Sequence, residues 1–444
     1  MRSSIATLVF GCAVAATTPA PASDSTRPES LSTLNSQPST GGWPQWRGPN
    51  RTGHAKDGPA ISALPKELKP LWKIDVGGGF AAPVVQSSAL IYVDENGSRE
   101  FAHRVDAATG KELWKVDYAK MESDEWGAGP RATPIIDGER VYVQSMNGEF
   151  RCLDLASGKT IWQTSFDHEF GVKFLGSKAR EGTASRRGNN GSGVIAGDKL
   201  VLPIGNTEGA SLVCFNKNDG KVLWKSGTDE AAYSSFVTAT LVGVPQVVAF
   251  TADALLGAAL EDGKILWRVP LKTNAKRHAA TPVIDGDNVI VNSHTIGLVA
   301  FRISEEIPGG ASSASPRLKA IPAWENQDLK INLATPVLVD GHLYCQGANK
   351  DYICAEAATG KLKWSQPGFG QGRRDYSSTI VVGKNLLVLT EDGTLLLLQP
   401  NPEKYTELAR LQVCGNTWSF PAYANGKLYV RDTRNLQCID LTAK

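Results

Sequence analysis

Five copies of Gly-Lys-x-x-Trp constrain this 444-residue chain more than any other feature. They are Gly110-Lys111-Glu112-Leu113-Trp114, Gly158-Lys159-Thr160-Ile161-Trp162, Gly220-Lys221-Val222-Leu223-Trp224, Gly263-Lys264-Ile265-Leu266-Trp267 and Gly360-Lys361-Leu362-Lys363-Trp364. A motif that returns at such intervals marks a repeat architecture, in which each unit buries its apolar face against its neighbours.

Residues 132 to 164 show the unit. Ala132-Thr133-Pro134-Ile135-Ile136 is a short apolar run, and Asp137-Gly138-Glu139-Arg140 is turn chemistry. Val141-Tyr142-Val143 reads as a second strand, Met146-Asn147-Gly148-Glu149 as a hairpin turn, and Phe150 to Asp154 as a third strand. Ser157-Gly158-Lys159 turns the chain again, and Ile161-Trp162-Gln163 begins a fourth strand. Four short antiparallel strands make one propeller blade.

The cycle recurs, with second-strand cores at Ile91-Tyr92-Val93, Val141-Tyr142-Val143, Leu200-Val201-Leu202, Val247-Val248, Val289-Ile290-Val291, Leu343-Tyr344-Cys345, Leu386-Leu387-Val388 and Leu428-Tyr429-Val430. Trp324 belongs to a degenerate fifth copy, and Ala409 stands in the seventh where Trp is expected. The last copy stops at Cys438-Ile439-Asp440-Leu441, short of a fourth strand, whereas Leu71-Trp72-Lys73-Ile74-Asp75 is a fourth strand without its first three. The pattern predicts an all-β, eight-bladed propeller over residues 69–444. It closes by pairing the N-terminal strand with the C-terminal strands, which removes exposed sheet edges. Trp72, Trp114, Trp162, Trp224, Trp267, Trp324 and Trp364 are expected to fill the wedges between blades rather than to stack on a ligand.

The ends are of another kind. Arg2, the apolar stretch from Ile5 to Ala16 and Ala20-Pro21-Ala22 read as an export signal over residues 1–22, cleaved after Ala22. Lipid attachment at Cys12 is the rival, disfavoured by Phe10 and the short preceding segment. Residues 23–42 are rich in Ser, Thr and Pro and read as a disordered linker. Residues 43–68 open with Trp43-Pro44-Gln45-Trp46-Arg47-Gly48-Pro49-Asn50-Arg51, whose two Trp predict docking onto the propeller. A net charge of +2 gives no pull towards nucleic acid, and the apolar stretch is too short for a transmembrane segment. Cys152, Cys214, Cys354 and Cys438 fall at equivalent third-strand positions and are expected as buried thiols. Cys345 and Cys354 flank one hairpin, so a disulfide between them stays open.

A propeller's variable residues lie where the chain leads into each innermost strand. Aligned on the Ala-Thr-Pro-like start, these positions are Phe80, Arg131, Asn190, Tyr233, Ala279, Leu333, Tyr376 and Trp418. One residue earlier come Gly79, Pro130, Asn189, Ala232, His278, Asn332, Asp375 and Thr417. Arg131, Arg186, Arg187, Lys276, Arg277, His278, Arg373 and Arg374 make the rim basic. Two readings stand side by side: a mouth for an anionic ligand or acidic peptide, or a solvated charged rim. The candidate ligand-binding set is Arg131, Asn189, Asn190, Tyr233, His278, Asn332, Arg373, Arg374, Asp375, Tyr376 and Trp418. His278 with Asp375 is the one acid–base pair to entertain, for a hydrolase or lyase. Residues 167–188 read as an insertion suited to a lid or partner contact, and residues 304–320 as a floppy loop.

Val105-Asp106-Ala107-Ala108-Thr109-Gly110-Lys111-Glu112-Leu113-Trp114 resembles the repeat of the pyrroloquinoline-quinone (PQQ) repeat family. The resemblance covers about residues 69–444 and carries the fold, not an activity. One branch of that family comprises quinoprotein dehydrogenases, with PQQ and calcium in the channel, oxidising alcohols or sugars. Its alcohol-oxidising members carry adjacent cysteines, and no Cys-Cys occurs here. Asn189, Asn190, Asn332 and Asp375 are the residues available for the calcium and base roles, but no motif assigns them. The other branch has no cofactor and includes a scaffold subunit of the outer-membrane β-barrel assembly machine. The resemblance implies a monomeric, non-catalytic scaffold of the periplasm or cell envelope that binds a protein, peptide or small anion. A PQQ-dependent oxidoreductase is the alternative.

Overall fold

The computed structural model describes residues 41–55, 58–124, 126–174, 189–271, 273, 276, 278–306, 317–369 and 376–443. Eight four-stranded antiparallel sheets follow one another along the chain. Blade 2 shows the unit: Ile135–Asp137, Arg140–Gln144, Glu149–Asp154 and Thr160–Ser165, paired in sequence order. Blades 1 and 3 to 7 begin at Val84, Val194, Val237, Val283, Val337 and Ser377. Blade 8 takes Ala422–Ala424, Lys427–Arg431 and Asn435–Asp440 from one end of the chain and Pro70–Asp75 from the other. Trp72 pairs with Cys438 and Ile74 with Leu436, so the ring closes as the sequence predicts. Arg431 latches the seam, its buried guanidinium donating to the carbonyls of Val93 (2.7 Å) and Gly77 (2.9 Å).

The register explains the repeat. Each fourth-strand Trp sits opposite one third-strand residue: Trp162 faces Cys152, Trp224 faces Cys214, Trp364 faces Cys354 and Trp72 faces Cys438. A small side chain there leaves room for the indole, and all four thiols are buried and free. Cys345 and Cys354 are likewise both free. The indoles tie blade to blade. Trp72, Trp114, Trp162, Trp224 and Trp324 donate Nε1–H to Ala107, Leu155, Lys217, Leu260 and Ala357, each in the next blade. Trp267 departs from the rule and donates to Gln246 of its own blade (2.7 Å). In blade 5 the third and fourth strands run on, Gly297–Glu305 against Leu318–Asn326, so the turn that would receive Trp267 is displaced. Residues 304, 305 and 318–320, expected in a loop, are therefore strand; 307–316 lie outside the described residues.

Between blades 2 and 3, Phe166–Phe170 forms a short helix capped by Ser165 and Gly171, with Phe166 and Phe170 buried. The start of the expected lid insertion is thus packed, and residues 175–188 lie outside the described residues.

Residues 43–55 lie across the innermost strands. Trp43 pairs with Val85 of blade 1, Pro44 O accepts from Ile136 N of blade 2, and Ala55 N and Gly53 O bond Val381 of blade 7. Arg51 donates to Gly193 O (2.6 Å) and Ser192 O (3.2 Å) at blade 3. Arg47 donates to Thr335 O (3.0 Å) and Pro336 O (2.8 Å) at blade 6. Trp46 donates to Thr281 at blade 5 (2.8 Å). Both guanidiniums are buried among carbonyl oxygens, and desolvation pushes Arg47 down to about 10 and Arg51 to about 9. The segment is a plug in the channel.

Candidate functional site

A belt of hydroxyls marks the depth of the plug. Thr133 N donates to Ser192 Oγ (2.9 Å), Ser192 N to Ser235 Oγ (3.0 Å) and Thr281 N to Thr335 Oγ1 (3.0 Å), each from one blade to the next. At blade 8 the equivalent position is Phe420, on which Trp43 and Trp46 pack with ring centroids 6.3 and 5.2 Å away. Substituting an aromatic ring for one hydroxyl gives the plug its apolar seat.

Two residues nearer the mouth, the eight lead-in positions converge. Phe80, Arg131, Asn190, Tyr233, Ala279, Leu333, Tyr376 and Trp418, one from each blade, all line a single cavity of about 230 Å³. Trp46 of the plug, Thr133, Ser192, Ser235, Asn332 and Trp126 complete its lining. Trp418 lies 5.4 Å from Phe80 and 6.2 Å from Trp126, ring to ring, and donates to Glu391 Oε1 (3.0 Å). Tyr376 bonds Ser378 through its hydroxyl (3.1 Å), and burial raises its pKa.

Trp126 comes from a two-stranded hairpin, Ser123–Asp124 with Gly127–Ala128, that the repeat pattern does not contain. Asp124 organises it. Its Oδ1 accepts from Trp126 N (2.8 Å) and Arg131 Nη2 (2.5 Å), and its Oδ2 accepts from Arg131 Nη1 (2.8 Å). Asp124's side chain is fully buried and Arg131's is 12% exposed, so this is a fork-to-fork ion pair away from solvent. Arg131 also lies over the Phe80 ring at 5.3 Å.

These contacts change the reading of the rim. Arg131 is matched by a carboxylate, and Lys276 is held by Glu230 (2.9 Å) and Asp253 (3.5 Å). Arg186, Arg187, Arg277, Arg373, Arg374 and Asp375 lie outside the described residues. Of the other candidates, Asn190, Tyr233, Asn332, Tyr376 and Trp418 line the cavity, whereas Asn189 and His278 do not. His278 is wholly buried, stacked on Phe250 at 4.0 Å, with Nδ1 bonded to Thr251 O (2.6 Å). Desolvation drives its pKa down to about 4, so it is a neutral packing residue and no acid–base catalyst at the mouth. Neighbouring residues of an extended chain point to opposite sides, which sends these two away from the channel. The repeat pattern does not single out Trp126, and the sequence assigns Trp46 only a docking role. Asp124-Glu125-Trp126-Gly127, turn residues around an indole between two blades, is the signal that marks the hairpin.

Eight four-stranded blades, the interlocked tryptophans and the repeat sequence define a PQQ-like β-propeller. Within that class, residues 98–307 match the family described as outer membrane protein assembly factor BamB. BamB of Burkholderia pseudomallei is 24% identical over 68% of this chain and 74% of its own length. The quinoprotein alcohol dehydrogenase PedH of Pseudomonas putida is 25% identical over 37% of this chain and 26% of its own. The crystal structure of BamB from Moraxella catarrhalis superposes with a TM-score of 0.54 at 13% identity, covering 85% of this chain and 98% of that one.

The described residues do not fit PQQ with calcium. PQQ is a planar tricarboxylate, and the cavity's one charged lining residue among those described is Arg131, already paired with Asp124. Calcium takes several oxygen ligands including carboxylates. Among the described residues no carboxylate lines the cavity, and no cluster of three or more His, Cys, Asp or Glu is placed to bind a metal.

Proposed function

We propose that this chain is a non-catalytic binding propeller of the bacterial cell envelope that engages a polypeptide partner through its channel mouth. The convergence of all eight lead-in residues on one plugged cavity carries the reading. A blind, ring-lined recess at the centre of a rigid scaffold suits recognition, and the described part of the mouth offers no nucleophile–base pair. Similarity to proteins named outer membrane protein assembly factors supports an envelope scaffold, and the leader-like residues 1–22 agree with export. The oxidoreductase alternative loses ground to the misfit of the cavity to a tricarboxylate and its metal. No described helix is long and apolar enough to cross a membrane.

The test is crosslinking in intact envelopes. A photoreactive side chain at Leu333, in the cavity wall, is expected to give a polypeptide adduct. The same group at Leu113, exposed on an outer strand, is expected to give none. Adducts from position 113 alone would overturn the reading.

A further inference from the structure

The cavity's chemistry narrows what it holds. Arg131, its single charged lining residue among those described, meets Asp124 through two short bonds, leaving no uncompensated positive charge on that wall. A ligand carboxylate brought there would lose its hydration without gaining a free cation. The remaining lining is flat or small: rings from Trp46, Trp126, Tyr233 and Trp418, separated by neutral amides and hydroxyls. An apolar cavity of about 150 Å³ accepts benzene. At about 230 Å³, this one has room for a substituted or fused ring.

We propose that the cavity is a receptor for one uncharged aromatic ring, phenol-like or indole-like. The Trp126 hairpin, pinned by Asp124 and Arg131, contributes one wall. The ring arrives either as a free compound or as a side chain of a polypeptide partner, and the second source rests on the function proposed above. It differs from the anionic ligand expected from the rim, which rests also on Arg186, Arg187, Arg373 and Arg374, outside the described residues.

Calorimetric titration of the full chain separates the cases, using p-cresol, its charged analogue 4-methylbenzoate and the peptide N-acetyl-Gly-Tyr-Gly-amide. One-site saturation by p-cresol is expected, with 4-methylbenzoate at least tenfold weaker. Ala279→Trp fills the recess without removing a contact and is expected to abolish binding, while Trp418→Ala weakens it at least tenfold. Thermal melts confirm that both variants fold. Peptide binding that Ala279→Trp also abolishes supports the ring site and assigns it to a polypeptide. Binding of p-cresol without the peptide supports the ring site and overturns polypeptide engagement through it. Tighter binding of 4-methylbenzoate, no saturation by either uncharged probe, or binding indifferent to both variants overturns the proposal. The crosslink at Leu333 then reports separately on the scaffold reading.

Discussion

The indole of Trp72 rests on Gly110: a Cβ added to Gly110 would stand 2.8 Å from two atoms of the ring. Gly110 also has φ of +72°, closing a turn in which Asp106 Oδ1 accepts from Ala108 N and Thr109 N. The same contact joins Trp114 to Gly158, Trp162 to Gly220, Trp224 to Gly263 and Trp324 to Gly360. The Gly and the Trp of Gly-Lys-x-x-Trp therefore do not serve each other. Each Gly receives the preceding blade's Trp, and Trp114, Trp162 and Trp224 are each handed on to the following blade's Gly; Trp267 and Trp364 instead donate to Gln246 and Asn401.

Gly110→Ala is expected to destabilise the ring at its closing seam by about 2 to 4 kcal/mol, from backbone strain and the clash with the indole together. In a double-mutant cycle with Trp72→Ala, the two costs should fall short of additivity by about 1 kcal/mol or more, because the second change removes the clash. Urea unfolding of the four proteins measures this. Strict additivity would show that the ring and the glycine are not coupled.

Glu100 is fully buried in blade 1, accepts from the Tyr118 hydroxyl (2.9 Å), and is pushed up by desolvation to about 8. Its folded pKa lies above the ordinary value of 4.5, so the folded state holds this proton more tightly than the unfolded one. The stability it contributes is fully present below pH 4.5 and is lost as pH rises from there to 8. Glu100→Gln is expected to be the more stable protein at pH 8, by a few kcal/mol on the order of ~1.4 per unit, with the gap closing towards pH 4.5. Paired denaturation curves at the two pH values check the sign. A gap that widens on acidification would show that Glu100 is ionised in the fold.

The ring was legible because burial in a blade is periodic. The Tyr142 and Trp162 positions recur, and alignment on Thr133 brings residues of equal depth into register. That is why the eight lead-in residues meet in one cavity. Shifting the alignment by one residue points the side chain the other way, as Asn189 and His278 show, although Asn332 still reaches the lining. What the repeats do not encode lies between them. Asp124 and Trp126 belong to the connection between blades 1 and 2, outside the repeat, so neither the neutralisation of Arg131 nor the extra indole follows from the pattern. The stickiness of Trp43 and Trp46 was readable. Their place inside the channel depends on Phe420 breaking the hydroxyl belt, a relation between residues more than 370 apart.

Arg131→Ala is expected to cost about 3 kcal/mol or more, because it strands the buried Asp124 carboxylate. Arg131→Met combined with Asp124→Leu should recover most of that loss, since replacing both charges removes the desolvation penalty along with the attraction. Thermal melts of the single and double variants decide it. A double variant as unstable as Arg131→Ala would show that the pair is needed for more than mutual neutralisation.

Arg51 is the residue on which the plug should be most sensitive. It is 2% exposed, lies at φ +60°, and sends its guanidinium to Gly193 O, Ser192 O and Gln45 Oε1. An ammonium lacks this planar fork and cannot serve carbonyls of blade 3 and the Gln45 amide together. Arg51→Lys is therefore expected to behave like Arg51→Ala, both leaving buried carbonyls short of a donor at about 1 to 3 kcal/mol. The loss should be local, because the blades pair independently of residues 43–55. Limited proteolysis is expected to cut within residues 43–58 while the ring stays intact, and Trp46 should lose its hold on Thr281. Rates of cleavage unchanged from the parent protein in both variants would show that Arg47 and the stacking on Phe420 suffice to hold the plug.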